Sequence, residues 1–329
     1  MAKRSQLVEL CESRSSAFAY DRASIVAAAK QLSSVKRLGR VLYAVKANPN
    51  REVLKILHEQ GLGFECVSIM EVEHVLSTIP GIAPDQILFT PNFAPREEYR
   101  RGFELGVNVT LDNLFPPRQW PDEFAGRELF VRLDLGKGEG HHKKVRTAGA
   151  GSKFGVPLSE LEELRSSLTA AGSKVVGLHS HAGSGVNDPE NWQRTATALL
   201  DIAAEFPDVR VIDLGGGLGV AEKPGESGLD MKAFADMIDA TLPQDGPECW
   251  IEPGRFLIAR AGVLLAQVTQ LKGKGEIQYV GVATGMNSLI RPALYGAYHE
   301  IVNLTRLDQA RTQLVNVVGP ICETGDILG

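Results

Sequence analysis

Eight short apolar segments, spread along the first 252 residues, constrain the fold of this chain more than any other feature. They are rich in Val, Ile and Leu, as strands buried on both faces should be. In order they are 41–47, 63–68, 86–90, 107–111, 129–135, 175–181, 209–214 and 249–252. Amphipathic helical patterns lie between most of them, at 52–60, 69–78, 95–105, 158–171, 191–206 and 231–242. Strand and helix in repeated alternation predict an α/β fold of the (β/α)8, or TIM, barrel type.

The pattern changes after Arg255. Segments 256–272, 278–284 and 314–318 are predicted to be strands without crossover helices between them, which indicates a separate β domain. We therefore predict an N-terminal segment 1–20 that can join this β domain, a barrel at 21–258 and a C-terminal β domain at 259–329. A β domain ending at Gly329 would have unpaired strand edges, so we expect it to be incomplete and the chain to be C-terminally truncated.

The composition narrows the possible partners. The net charge of −5 argues against a nucleic-acid partner, which would require clustered Lys and Arg. No stretch approaches the roughly 20 consecutive apolar residues that span a membrane, and no signal peptide is evident. The four cysteines are too widely spaced for a metal knuckle or a small disulfide framework, which favours reduced thiols and a cytoplasmic location.

A lysine is the first candidate for chemistry. Lys46 ends the first predicted strand, and barrel enzymes place their active sites at the C-terminal ends of strands. Burial disfavours the charged amine and lowers its pKa, which suits Schiff-base formation. An equally good interpretation of this segment alone is a lysine whose stem lies along apolar surface while its amine reaches water.

Two further segments follow the seventh and eighth strands. Glycines 215–217 can bring backbone N–H groups close to a phosphate, although a plain tight turn is the alternative. Arg255 can bind the same phosphate or a carboxylate. Glu252 can keep a proton on a cofactor ring nitrogen, or it can simply pair with Arg255.

Two histidines and a cysteine leave other chemistry open. His179 and His181 lie two apart on a strand and face the same way, so either can stack on an aromatic ring. A His-x-His pair at a barrel mouth can also bind a metal, which makes a metal-dependent hydrolase a rival hypothesis, although no further ligands are evident. Cys322, beside Glu323, can serve as a proton donor or as a buried structural thiol.

Taken together, seven segments resemble the fold-type III pyridoxal-phosphate decarboxylases, the group that includes alanine racemase-like and ornithine decarboxylase-like enzymes. The segments keep the order of that family: YAVKAN (43–48), SKFG (152–155), HSHAGS (179–184), GGG (215–217), EPGR (252–255), RPALYG (291–296) and GPICE (319–323). Within the family the chain looks most like the diaminopimelate decarboxylases. The resemblance implies decarboxylation of meso-2,6-diaminopimelate to L-lysine and CO2, with pyridoxal 5′-phosphate as cofactor and no metal.

The resemblance also implies a role for each matching residue. Lys46 would form the Schiff base and His181 would stack on the cofactor ring, while Glu252 would pair with the ring nitrogen. The phosphate would be held by, or lie beside, Ser184, Gly215, Gly216, Gly217 and Arg255. One departure is Glu65, because related decarboxylases usually carry Asp at this position.

For the substrate, the resemblance implies that Arg291, Tyr295 and Glu323 grip its far end, that Arg255 can help with a carboxylate, and that Cys322 is the general acid. It also implies a head-to-tail homodimer with shared active sites. Family chains continue past the Cys-Glu motif, so activity of this chain alone is a separate question. Other hypotheses are decarboxylation of ornithine, arginine or lysine, and a non-catalytic protein that binds the same cofactor.

Overall fold

The computed structural model describes residues 3–136, 152–181 and 183–329. The chain divides into two compact units. The barrel unit comprises Arg22–Val220 and Ser227–Arg260, and the β unit comprises Met1–Asp21, Ala221–Glu226 and Ala261–Gly329. Within the described ranges, no helix is both long and apolar enough to cross a membrane.

The strands are numbered in chain order. They are Ser16–Tyr20 (β1), Leu38–Ala44 (β2), Gly63–Cys66 (β3), Ile87–Phe89 (β4), Asn108–Leu111 (β5), Glu128–Asp134 (β6), Val156–Pro157 (β7), Lys174–His179 (β8), Val211–Asp213 (β9), Glu248–Ile251 (β10), Gly262–Ala266 (β11), Val268–Lys274 (β12), Ile277–Val282 (β13) and Asn316–Val318 (β14).

The α-helices are numbered in the same way. They are Arg4–Ser13 (α1), Arg22–Ser33 (α2), Arg51–Glu59 (α3), Ile69–Thr78 (α4), Arg96–Leu105 (α5), Phe115–Gln119 (α6), Pro121–Phe124 (α7), Leu161–Ala170 (α8), Glu190–Ala203 (α9), Met231–Thr241 (α10), Arg255–Ile258 (α11) and Arg291–Tyr295 (α12). Asn50, Ser68 and Asp230 accept hydrogen bonds from backbone N–H groups in the first turns of α3, α4 and α10, so local sequence sets where these helices begin.

The barrel is closed by parallel pairing. Strands β2, β3, β4, β5, β6, β8, β9 and β10 follow one another around it, and β10 pairs with β2 to complete the circle. The predicted (β/α)8 barrel and all eight of its strands are thereby confirmed. A buried apolar cluster draws residues from six of these strands: Leu42, Leu88, Phe130, Val176, Val211 and Trp250. Burial of this layer gives the barrel its core.

The β unit contains two small sheets. Strand β1 pairs antiparallel with β11, from Ser16 opposite Ala266 to Tyr20 opposite Gly262. Strands β12 and β13 form an antiparallel pair, and β14 joins β13 in parallel. This unit confirms that a separate β architecture follows the barrel.

One strand prediction was wrong in detail. The segment 256–272 was predicted to be a single strand, but it begins as helix α11 and continues as β11 and part of β12, which belong to different sheets. A short apolar run does not distinguish a buried helix from a strand. The partners decide the outcome: α11 packs on α2, whereas β11 pairs with β1 from the N-terminal segment.

Candidate active site

The barrel interior changes from apolar to polar toward the C-terminal ends of the strands. Residues two apart on a strand share a face, so the change can be followed along single strands. The apolar and polar members of each pair are Phe130 and Arg132, Val211 and Asp213, and Trp250 and Glu252. Phe130 and Trp250 stack with ring centroids 5.2 Å apart. The polar layer therefore lies at the barrel end where active sites form.

Lys46 belongs to this polar layer. It lies in a 3-10 turn, Val45–Ala47, directly after β2, and its Nζ is 2.6 Å from Oε2 of Glu65 on β3. The Lys46 side chain is 53% exposed, whereas that of Glu65 is 2% exposed. A buried carboxylate thus holds the accessible amine at the barrel mouth.

The charge state of Lys46 differs from the prediction. Desolvation disfavours its ammonium, but the carboxylates of Glu65 and Glu252 outweigh that effect and raise the pKa of Lys46. The predicted lowering of this pKa was therefore wrong for the cofactor-free site, because a lone buried lysine and a lysine facing two carboxylates behave in opposite ways. Burial in turn raises the pKa of Glu65 to about 7, against the opposing effect of Lys46.

Glu252 lies among four other ionisable groups. Its Oε2 is 3.4 Å from Nε2 of His179, and Asp213 offers an oxygen within 4.8 Å of both residues. Burial raises the pKa of Asp213, with Glu252 adding to the effect. For Glu252, burial acts in the same direction but is outweighed by His179, Lys46 and His181, so its pKa is lowered. The negative charge therefore resides on Glu252.

His181 is held as a neutral imidazole. Its Nδ1 accepts a hydrogen bond of 3.1 Å from the backbone N–H of Gly216. Burial and the nearby Arg132 lower the pKa of His181 to about 3. The bond to Nδ1 requires that nitrogen to be unprotonated, so a proton on the neutral ring lies on Nε2.

The glycine loop after β9 has no room for side chains. A Cβ atom on Gly216 would lie 2.2 Å from the carbonyl oxygen of Glu252, and one on Gly217, whose φ is +88°, would lie 2.1 Å from that of Gly183. The backbone N–H of Val186 donates to the carbonyl oxygen of Gly217 at 2.9 Å, which brings the segment containing Ser184 to this loop. The loop is a backbone-lined cradle of the kind that binds anions.

Arg255 is brought to the same end of the barrel. Glu252 donates its backbone N–H to the carbonyl oxygen of Gly215 at 3.0 Å, and the carbonyl oxygen of Pro253 accepts from Ala44 at 3.2 Å. Arg255 follows as the first residue of α11. The barrel unit therefore brings together Lys46, His181, Ser184, Gly215, Gly216, Gly217, Glu252 and Arg255.

Sequence reasoning assigned no role to three polar side chains of this site, namely Arg132, Asp213 and Asp112. Arg132 stacks over Phe154 at 4.5 Å and lies 4.0 Å from Asp112, whose Oδ1 accepts from the N–H of Gly155 at 3.0 Å. These contacts tie the segment 152–155 to the barrel. Asp213 and Arg132 could have been found from the two-residue period, since each follows an apolar barrel residue on the same face.

The remaining predicted residues belong to the β unit. Arg291 opens α12 and donates to Oε1 of Glu222 at 2.7 Å, with Nε2 of His299 3.3 Å from its other terminal nitrogen. Tyr295 ends the same helix. Cys322 and Glu323 are exposed in a turn after β14. Their roles toward a substrate stay predictions.

Comparison with known proteins identifies the family. The profile described as "Pyridoxal-dependent decarboxylase, pyridoxal binding domain" matches residues 22–259. The chain belongs to this family. Pyridoxal phosphate is therefore the cofactor of this decarboxylase, as the sequence predicted.

Individual relatives are similar over most of their length. A protein of Methanothermobacter thermautotrophicus named diaminopimelate decarboxylase is 35% identical over 302 residues, which cover 88% of this chain and 70% of the relative. The Escherichia coli K12 protein of that name is 33% identical over 311 residues, covering 91% and 74%. The crystal structure of diaminopimelate decarboxylase from Helicobacter pylori complexed with L-lysine has a TM-score of 0.87 at 27% identity, covering 97% of this chain and 82% of that one.

The polar layer of the decarboxylase fits this cofactor. Among the residues that the structure describes, none makes a hydrogen bond to the buried Oε1 of Glu252, as expected for an oxygen that pairs with a ring nitrogen. The cradle at Gly216 and Gly217 suits a phosphate. Lys46 supplies an accessible primary amine near Glu252. The donor set thus matches the aldehyde, nitrogen and phosphate of pyridoxal phosphate.

Proposed function

We propose that this chain decarboxylates meso-2,6-diaminopimelate to L-lysine and CO2. The observation that carries the proposal is the polar layer, in which the amine of Lys46 lies close enough to the carboxylate of Glu252 and to the neutral imidazole of His181 for electrostatic interaction with both. The names of the relatives described above support this substrate, and so does the segment 291–296.

Five barrel side chains and the glycine loop would serve the cofactor. When bound, pyridoxal phosphate accepts the electron pair released as the carboxylate leaves. Lys46 would hold it covalently through Nζ, and Glu252 would keep its charge beside the ring nitrogen. His181 would cover one ring face. Arg255 would help the glycine loop, together with Ser184, to neutralise the phosphate.

Four residues of the β unit would serve the substrate. Arg291 and Tyr295 can bind a distal carboxylate, and Glu323 a distal ammonium. Ornithine and lysine have no distal carboxylate, which is why these residues favour diaminopimelate. Cys322 would return a proton to the substrate carbon through its thiol.

The organisation of the molecule is part of the proposal. We assign residues 21–258 to the cofactor-binding barrel, and residues 1–20 to the β domain with 259–329. We also propose a head-to-tail homodimer in which each active site draws residues from both subunits, working in the cytoplasm.

A substrate panel tests the activity. Purified protein with pyridoxal phosphate is incubated separately with diaminopimelate, ornithine, arginine and lysine, and CO2 release is followed. We expect kcat/KM for diaminopimelate to exceed the others by about tenfold or more, because only its distal carboxylate can compete with Glu222 for Arg291. A higher value for ornithine or arginine would refute the substrate assignment.

The rival hypothesis of a metal-dependent hydrolase can be tested against the family assignment, because His179, Asp213 and Glu252 offer ligand atoms within 4.8 Å of one another. Borohydride separates the two functions. The decarboxylase should yield a reduced cofactor adduct that mass spectrometry locates on Lys46. The Lys55→Ala protein should give the same adduct, and the Lys46→Ala protein should give none. A zinc enzyme would give no adduct with any of the three proteins.

A further inference from the structure

A buried carboxylate in the β unit has no part in the chemistry proposed above. Asp326 lies three residues after Glu323 and is 3% exposed. Both of its carboxylate oxygens accept from backbone N–H groups: Oδ1 from Met286 at 2.6 Å and Oδ2 from Ile321 at 2.9 Å. Hydrogen bonds to an ionised acceptor are among the stronger ones in proteins, so this side chain joins two distant chain segments firmly.

The first of these segments carries the predicted general acid. Ile321 opens the turn that contains Cys322 and Glu323. Within the turn, the N–H of Asp326 donates to the carbonyl oxygen of Glu323 at 3.1 Å, and the carbonyl oxygen of Asp326 accepts from Gly319 at 3.0 Å. Bonds made by Asp326 therefore enclose Cys322 and Glu323 on both sides.

The second segment leads to the predicted substrate-binding helix. Met286 lies in a turn in which the carbonyl oxygen of Gly285 accepts from Ser288 at 2.9 Å and from Leu289 at 3.2 Å. Two residues later α12 begins with Arg291. The turn that contains Met286 therefore leads directly into this helix.

Two glycines make room for the carboxylate. A Cβ atom on Gly285 would lie 2.3 Å from Oδ1 of Asp326, and one on Gly319 would lie 2.3 Å from Oδ2. Such distances are far below van der Waals contact. Glycine at both positions therefore leaves the space that the carboxylate of Asp326 occupies.

We propose that Asp326 is a positioning residue that holds the Cys322–Glu323 turn and the start of the Arg291 helix in one arrangement. The roles of Cys322 and Arg291 rest on the proposed function, whereas the linkage between the two segments does not. Because a single side chain anchors both segments, loss of its second oxygen should impair proton transfer and substrate binding together.

Asp326→Asn is the first test. Asparagine has one acceptor oxygen, and its NH2 group faces the second N–H donor, so only one of the two bonds survives. We expect kcat for diaminopimelate to fall and KM to rise, with kcat/KM reduced about tenfold or more. The borohydride adduct at Lys46 should form as in the parent protein. Asp308→Asn, which alters an exposed acid of the same unit, is the matched control and should change neither constant.

A second measurement does not depend on activity. Hydrogen exchange at the amides of Met286 and Ile321 should be slow in the parent protein and about tenfold faster or more in Asp326→Asn for the amide that loses its acceptor. If the parent protein decarboxylates none of the four amino acids, the proposed function fails while this measurement still tests the linkage. Unchanged exchange at both amides, or unchanged kcat and KM in an active enzyme, would overturn the role of Asp326.

A double-mutant cycle addresses misfolding. Gly285→Ala should reproduce the defect of Asp326→Asn, since the new methyl group meets the carboxylate. In an Asp326→Ala background the carboxylate is gone, so Gly285→Ala should add little further loss of activity or of exchange protection. Fully additive effects would show that the two residues act separately, and would contradict the proposal.

Discussion

Lys46 is half exposed, yet its amine is held 2.6 Å from the buried carboxylate of Glu65. The two carboxylates that raise its pKa keep the amine charged in the cofactor-free site. A charged amine is not a nucleophile, so cofactor attachment requires the loss of a proton. The local charges therefore hold the amine at the barrel mouth in its protonated form, which is not nucleophilic.

Removal of one carboxylate should show this effect. In Glu65→Gln the pKa of Lys46 should fall, because the largest attractive charge is lost while desolvation remains. At pH 8 a larger fraction of the amine is then neutral, and pyridoxal phosphate should attach faster. Stopped-flow absorbance between pH 7 and 9 measures the rate. Glu59→Gln, an exposed acid of α3, should load at the parental rate; equal rates in all three proteins would contradict the argument.

His181 gives a pH dependence with a definite direction. Its pKa is about 3 in the folded protein and 6.5 as the reference value. Between these values the His181 of the unfolded chain binds more protons, so its contribution to the free energy of unfolding is largest above pH 6.5 and falls as the pH drops toward 3. From pH 7 to pH 5 the loss due to His181 should be about 1–2 kcal/mol.

The measurement is urea unfolding of the cofactor-free protein at pH 7 and pH 5. His181→Asn keeps an acceptor for Gly216 but cannot become charged, so the fall in its unfolding free energy should be smaller by that amount. An equal fall in both proteins would mean that His181 titrates normally in the fold.

At the scale of elements, the loops after β8, β9 and β10 act together. The segment containing Gly183–Val186 pairs with the glycine loop, and the glycine loop pairs with Glu252. The sequence predicted each loop separately, because strand ends and glycines are recognisable as local patterns. Their mutual hydrogen bonds could not be predicted, because they join residues that are 30 to 40 positions apart.

Gly217→Ala tests the loop as a unit. Its φ of +88° is unfavourable for alanine, and the new Cβ would meet the carbonyl oxygen of Gly183. We expect the affinity for pyridoxal phosphate to fall about tenfold or more, because the cradle must shift. Gly225→Ala is the matched control: its φ is +84°, but its Cβ would meet no atom of the described residues within 4 Å. Fluorescence titration with the cofactor compares them, and similar affinities would refute the crowding argument.

At the scale of the whole molecule, the proposed shared active sites make a quantitative prediction. Lys46→Ala and Cys322→Ala should each be impaired alone. When the two proteins are mixed and allowed to exchange subunits, half of the dimers carry one of each, and one of their two sites is intact. Activity should therefore recover to about a quarter of the parental value. No recovery, with exchange verified by mass spectrometry, would show that each site lies within one subunit.

Sequence alone determined the barrel, its eight strands and the segments that carry Lys46, His181, Glu252 and the glycine loop. These features are local: strand burial, strand ends and glycines leave patterns within a few residues. Tertiary structure decided the rest. It reversed the expected pKa of Lys46 by placing Glu65 and Glu252 near it, and it divided 256–272 between a helix and two sheets. It also revealed Asp326 as a link between two turns. Charge states and strand partners depend on residues that are close in space but distant in sequence, so no local pattern records them.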